Sequence, residues 1–174
     1  PITAQPGQVE RVDYEYQRHG VANIFMFFEP FCGQRHVKVT DTRTRTDWAE
    51  AMRELSDEIH PEAEKIIVVL DNLNTHTPAA FYLAFEPDEA RRLAKRFEFH
   101  FTPKHGSWLN MAEIELSVLS RQCINRRIPD EQTLDREVMA WAKERNSKVV
   151  KVDWRFSTAD ARIKLKRLYP KIHD

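Results

Sequence analysis

The chain has 174 residues, a length typical of a single globular domain. Hydrophobic residues make up 41% of it and charged residues 31%, with 4 Gly and 9 Pro, which excludes a disordered or collagen-like chain. The wholly apolar runs, such as 24–28 and 66–70, are far shorter than the roughly 20 residues of a membrane span, so no membrane partner is expected. Cys32 and Cys123 form neither a disulfide framework nor a zinc-ligand spacing, which favours a reduced, cytoplasmic location.

Charge is balanced over the whole chain, with 27 Lys and Arg against 27 Asp and Glu, but it is unevenly placed. Residues 141–174 carry a net charge of +6, and residues 1–140 carry −6. This asymmetry fits a basic surface that contacts phosphates, and it also fits an exposed helix face solvated by water. Arg162, Lys166 and Arg167 can share one helix face and are the candidate nucleic-acid-binding residues.

The first third of the chain predicts an arm, a hairpin and a helix. Residues 1–20 show no sustained hydrophobic period and predict an extended arm. The short apolar segments 23–28 and 36–40 predict an antiparallel hairpin. The segment 47–50 has the residues of a capping box, which predicts an amphipathic helix that ends near Pro61.

The middle of the chain alternates between strands and helices. The run 65–70 is β-branched and apolar on both faces, which predicts a central strand covered by helices on each side. Residues 77–96 predict helix with a break at Pro87, and 97–101 alternate as a strand with one polar face. A further helix is predicted with a single apolar stripe, formed by Trp108, Ala112, Leu116, Leu119 and Cys123.

Two more helices are predicted near 130–145 and 157–168, the second beginning with a capping box. This order of elements predicts an α/β fold with a mixed sheet flanked by helices. We assign residues 21–128 to the core and residues 129–174 to carboxyl-terminal helices of the same domain.

Asp71 directly follows the apolar run that ends at Leu70. Open α/β sheets bind ligands at the carboxyl ends of their strands, so a carboxylate here is a candidate functional group. The alternative is an ordinary turn, which the Asp71-Asn72 pair also favours.

Two glutamates compete to face Asp71 from the following helix. Glu113 and Glu115 lie roughly 200° apart around the helix axis, so only one of them can do so. Glu113 could instead complete a capping box with Asn110. Two carboxylates without a Cys or His framework favour Mg²⁺ or Mn²⁺ over zinc, and a two-ion site of this kind serves phosphodiester cleavage but needs a third carboxylate.

Two segments carry a family resemblance. Residues 68–76, VVLDNLNTH, and 101–113, FTPKHGSWLNMAE, resemble the second and third acidic motifs of DDE transposases. The similarity is closest to the six-thirty family of bacterial insertion sequences, within the mariner superfamily. Residues 14–20, YEYQRHG, and 154–165, WRFSTADARIKL, also resemble that family, so the resemblance covers nearly the whole chain.

The resemblance implies a ribonuclease-H-like fold and metal-dependent cleavage and transfer of DNA strands at transposon ends, by a homo-oligomer associated with the bacterial nucleoid. It implies DNA rather than a small molecule as the substrate. Asp71 and Glu113 would be catalytic, metal-binding residues. Asn72 and His76 would be supporting neighbours, while Trp108 and Asn110 would position the loop that carries Glu113.

Two departures from the family pattern change the expectation. The 41 residues between Asp71 and Glu113 form a longer interval than is common in the superfamily. The family's first aspartate and its strand precede the arm, so they are expected to be absent here together with the amino-terminal part of the protein. The chain alone would then be inactive, with its gap filled by residues 1–20 or by a second copy. The alternative is a non-catalytic DNA-binding or oligomerisation remnant of a transposase.

Overall fold

The computed structural model describes residues 20–103, 106, 109–164 and 166. Residues 1–19 of the predicted arm (1–20), together with Trp108 and Arg167, lie outside the described residues. No helix within the described part is long and apolar enough to cross a membrane. In chain order the elements are β1 (Asn23–Glu29), β2 (Gln34–Thr40), α1 (Arg45–Glu54), β3 (Ile66–Leu70), α2 (Ala79–Ala84), α3 (Pro87–Arg96), β4 (Phe97–Phe101), α4 (Met111–Leu119), α5 (Glu131–Ser147) and α6 (Thr158–Lys164).

The predicted hairpin is confirmed. Strands β1 and β2 pair antiparallel from Asn23 opposite Thr40 to Glu29 opposite Gln34. Gly33 ends the turn with φ +69°, a left-handed conformation that glycine adopts without steric cost. A Cβ atom at this position would lie 3.1 Å from the carbonyl oxygen of Val150, so close backbone packing also requires glycine.

Helix α1 forms where expected, but its predicted cap is wrong. Thr44, and not Asp47, is the N-cap, and its hydroxyl accepts a hydrogen bond from the Asp47 amide. The Asp47 carboxylate in turn accepts from the Thr44 amide at 2.7 Å. Both Thr44–Asp47 and Asp47–Glu50 have the spacing of a capping box. The Thr44–Asp47 box is the one that forms, and it is favoured because the Thr42 hydroxyl also donates a hydrogen bond to the Asp47 carboxylate. The helix continues as one π-helical segment over Leu55–Ile59.

Strands β3 and β4 pair parallel, with Ile66 opposite Phe97 and Leu70 opposite Phe101. The prediction that β3 is covered on both faces is wrong for the described part of the chain. Ile67 and Val69 remain 66% and 57% exposed, because α1, α2 and α3 pack on the other face of this strand pair. An apolar run shows that both faces tolerate burial, but it does not supply a partner for each.

The mixed α/β class is confirmed, while the single mixed sheet is replaced by two. Among the described residues β1 pairs with β2 alone and β3 with β4 alone. The hairpin lies between two apolar clusters: Phe25 and Phe27 pack with α1, α2, α3, β3 and β4, whereas Ile24 and Met26 pack with α4 and α5.

The remaining helices largely follow the predictions. Pro87 separates two helices, α2 and α3, as predicted. Helix α5 spans the helix predicted near 130–145. Helix α6 has the predicted capping box, in which Ser157 and Asp160 each accept from the other's amide. It extends to Lys164, so the predicted helical positions beyond it fall largely outside the described residues.

Candidate active site

Asp71 lies at the carboxyl end of β3, half-buried, with its side chain fixed by two donors. Asn110 Nδ2 donates to Asp71 Oδ1 at 3.0 Å, and the buried Thr102 hydroxyl donates to the same oxygen at 3.4 Å. Thr102 is held by its own amide, which donates to the carbonyl of Leu70 at 2.9 Å. The Asp71 carboxylate is therefore oriented by the loop that follows β4.

Asn110 joins this carboxylate to helix α4. It is the N-cap of the helix, and its Oδ1 accepts from the Ala112 amide at 3.0 Å while its Nδ2 donates to Asp71. The Glu113 amide donates to the Asn110 carbonyl at 3.1 Å, which places Glu113 in the first turn. One amide side chain thus fixes the start of α4 relative to the end of β3.

The structure brings Glu113 to Asp71. Their carboxyl groups lie within hydrogen-bonding reach of each other, and this interaction is the largest cause of the raised pKa of Glu113; partial burial and the negative charge of Asp71 raise it further. The alternative capping box with the Asn110 amide is not what Glu113 forms. We call Asp71 and Glu113 the acidic pair.

The acidic pair has the chemistry of a divalent-cation site. Two carboxylates in such close contact suit a hard cation placed between them, because the charge of the cation removes their mutual repulsion. Mg²⁺ and Mn²⁺ prefer such oxygen ligands. The residues present therefore fit the ion that the sequence predicts, although two carboxylates leave most of its coordination sphere to other ligands.

The raised pKa of Glu113 predicts a pH-dependent stability difference. Between the ordinary pKa of 4.5 and the raised value, the folded state holds a proton that the unfolded state releases, so this contribution to stability is lost as pH rises. Glu113→Gln removes the effect. Its Tm relative to the parent should increase as pH rises from about 4 to 7. Glu62→Gln, at an exposed glutamate, is the control; a parallel Tm profile for Glu113→Gln would contradict the interaction.

Two predicted neighbours occupy different positions around Asp71. Asn72 is exposed, and its side-chain Nδ2 donates a hydrogen bond to the Thr102 carbonyl at 3.0 Å. This bond connects the loops that follow β3 and β4. His76 stacks on Trp48 with ring centroids 5.6 Å apart. Burial lowers the pKa of His76, and the charge of Asp71 opposes this shift. Both residues support the loop that carries Asp71.

The predicted apolar stripe of α4 is wrong at Leu116, which is exposed, and Glu115 is buried in its place. Arg35 Nε donates to Glu115 Oε2 at 2.5 Å, and Arg145 Nη2 contacts both carboxylate oxygens at 3.2 Å. Arg35 also reaches the Val150 carbonyl at 2.6 Å. This buried network fixes α4 against β2 and α5, and it decides that Glu113 faces Asp71. The sequence analysis did not identify Arg35 as the residue that holds Glu115 in place, because the two residues lie 80 positions apart.

Comparison with known families adds one finding. A family model described as DDE superfamily endonuclease matches residues 1–135 of the chain. The chain belongs to this family. No curated protein and no solved structure matches it. The match spans both members of the acidic pair and most of the described fold.

Membership gives the domain a substrate class and a cofactor class. A DDE superfamily endonuclease acts on DNA and generally uses divalent metal ions. Of the predicted DNA-binding residues, Arg162 lies on the short helix α6 and Lys166 is exposed just after it. Arg162 and Lys166 lie outside the 1–135 match, so membership does not bear on them.

Proposed function

We propose that this DDE superfamily endonuclease domain is the catalytic domain of a transposase of the six-thirty family of bacterial insertion sequences, in the mariner superfamily. Its reaction is the cleavage and transfer of DNA strands at transposon ends, in the bacterial cytoplasm on nucleoid DNA. The observation that carries this proposal is the contact between Asp71 and Glu113 at the end of β3. Both acidic motifs would then serve one site.

In this proposal Asp71 and Glu113 hold Mg²⁺ or Mn²⁺. The ion supplies charge that stabilises the attacking and leaving oxygens of a phosphodiester. The chain's own residues orient its ligands: Asn110 and Thr102 fix one oxygen of Asp71, and the start of α4 fixes Glu113. Trp108, two positions before Asn110 in the sequence, is proposed to help position Glu113.

We propose that the 174-residue chain is inactive in strand cleavage on its own. Among the described residues the acidic pair contributes two carboxylates, and a two-ion site for strand cleavage needs a third. The family's first aspartate, carried on an additional strand, would supply it. That strand would also pair with β1 and β3, each of which has one unpaired edge in the described part of the fold, and complete a ribonuclease-H-like sheet.

The open side of β3 supports a homo-oligomer. Ile67 and Val69 form an apolar, mostly exposed face of β3, which favours association with another surface. In addition, β3 pairs with β4 alone among the described residues, and an unpaired strand edge readily pairs with another chain. The arm, residues 1–20, or a second copy of the chain would cover this region.

A DNA-binding experiment with metal removal tests the proposal. The affinity for terminal-repeat DNA of the parent element should fall by about tenfold or more when EDTA replaces Mn²⁺, because residues 1–140 carry −6 and repel phosphates. Fluorescence anisotropy measures the affinity, and a sequencing gel detects strand cleavage. Binding that is indifferent to divalent ions would favour the second candidate, a non-catalytic DNA-binding or oligomerisation remnant. The observation that favours this candidate is that two carboxylates, and not three, converge among the residues that the structure describes.

The basic carboxyl-terminal surface is proposed as the phosphate contact. Arg162 and Lys166 are exposed, and Arg167 completes the set in sequence. Changing all three to Glu should abolish DNA binding while far-UV circular dichroism stays unchanged, since exposed charges contribute little to stability. Parent binding should fall steeply with salt, as expected when phosphate contacts release counterions. A triple variant that binds DNA like the parent would show that this surface is merely solvated.

A further inference from the structure

A second cluster of metal-ligating side chains lies outside the acidic pair. Glu29, His36 and His60 place one donor atom each within 4.8 Å of the others, and no other group of three or more His, Cys, Asp or Glu does so among the described residues. His36 Nε2 is 3.0 Å from Glu29 Oε1, and His60 Nε2 is 3.4 Å from the same oxygen. We infer that these residues, with Cys32, form a zinc site.

The fold explains why three distant residues meet. In β1, Phe25, Phe27 and Glu29 alternate onto the face that packs toward α1, and in β2 His36 pairs with Phe27 on that same face. His60 ends the π-helical segment that continues α1. The two histidines thus approach one carboxylate from separate elements, with their rings 6.0 Å apart in an edge-to-face arrangement.

The distances match zinc coordination. Ligand atoms about 2.0–2.1 Å from a tetrahedral ion lie about 3.3 Å from one another. The observed separations of 3.0 and 3.4 Å need only small side-chain adjustments. Side-chain exposures of 30% for His36, 29% for His60 and 33% for Glu29 leave a path for an ion from solvent.

Cys32 provides the fourth ligand. It lies on the hairpin turn, exposed, with its sulfur 3.2 Å from Glu29 Oε2 but outside the group in which all donor atoms lie within 4.8 Å of one another, so its side chain would have to rotate toward the ion. One thiolate, two imidazoles and one carboxylate are the ligand types that zinc prefers, whereas Mg²⁺ and Mn²⁺ prefer oxygen alone. The bound ion would join the hairpin turn to the end of α1 and stabilise the face on which Phe25 and Phe27 pack. This site is independent of the acidic pair and of the proposed reaction.

Metal titration of the untagged, chelator-treated chain tests the inference. Zn²⁺ should bind with one equivalent in competition with a chromophoric chelator, and it should raise the Tm of the parent. His36→Gln, His60→Gln and Cys32→Ser should each lower the affinity by about tenfold or more. His100→Gln is the matched control, because His100 also contacts a glutamate, Glu98, at 2.7 Å but belongs to no group of three donors among the described residues; the affinity of this variant for Zn²⁺ should equal that of the parent.

Two further measurements keep the inference open to refutation. Co²⁺ bound to the parent should give the absorption of a tetrahedral ion and a thiolate charge-transfer band that Cys32→Ser removes, a readout that does not depend on how the histidine variants fold. Asp71→Asn should retain zinc binding, which separates this site from the acidic pair. An octahedral Co²⁺ spectrum, or zinc affinity unchanged in folded His60→Gln, would overturn the inference.

Discussion

Replacing Glu115 with alanine should lower the free energy of unfolding by about 3–5 kcal/mol, because it leaves the buried guanidinium of Arg35 without its carboxylate. The side chains of Arg35 and Glu115 are 0% and 2% exposed, so water cannot replace the lost partner. Typical domains have only about 5–15 kcal/mol of stability in total. Urea unfolding followed by circular dichroism measures the loss, and α4 with Glu113 should be displaced even in the folded fraction.

Two comparisons separate the ion pair from simple truncation. Glu137→Ala removes a partner of Arg126 from a surface pair at 2.7 Å and should change the unfolding free energy far less. The double variant Arg35→Met with Glu115→Leu should recover part of the loss, since the Arg35–Glu115 pair then holds no buried charge, while Arg145, 15% exposed, still lacks its carboxylate. A Glu115→Ala protein as stable as the parent would show that the network does not hold α4.

Replacing Asp71 with asparagine should lower the affinity for Mn²⁺ by about tenfold or more and abolish the Mn²⁺-dependent part of DNA binding. Asparagine keeps the size of the side chain and can still accept from Asn110, but its amide nitrogen cannot bind a cation. Isothermal titration with Mn²⁺ and anisotropy with terminal-repeat DNA measure the two effects. Any residual strand cleavage should disappear with them.

The control for this variant is Asp88→Asn, at an exposed carboxylate in the first turn of α3. It makes the same chemical change away from the acidic pair and should leave Mn²⁺ and DNA binding as in the parent. An unchanged Mn²⁺ isotherm for Asp71→Asn would refute the assignment of Asp71 as a metal ligand.

The amino-acid sequence by itself determined the local structure. The apolar segments 23–28 and 36–40 predicted the hairpin, Pro87 predicted the break between α2 and α3, and the alternation of 97–101 predicted β4. Each of these signals acts through neighbouring residues: proline restricts its own backbone, glycine permits a left-handed turn, and alternation matches the pleat of a strand. The position of Asp71 at the end of a strand was predicted from the sequence because it too depends only on neighbouring residues.

Only the tertiary structure decided which side chains meet. Helix spacing alone left Glu113 and Glu115 as alternatives, and only the family resemblance favoured Glu113. In the structure Arg35, 80 residues from Glu115, holds Glu115 in the interior. The tertiary structure also leaves Ile67, on the second face of β3, exposed to solvent. It brings His60 into contact with Glu29, although helix α1 lies between them in the sequence. Partners so far apart along the chain leave no periodic signal, because the energy of a buried contact depends on where whole elements pack and not on residue spacing.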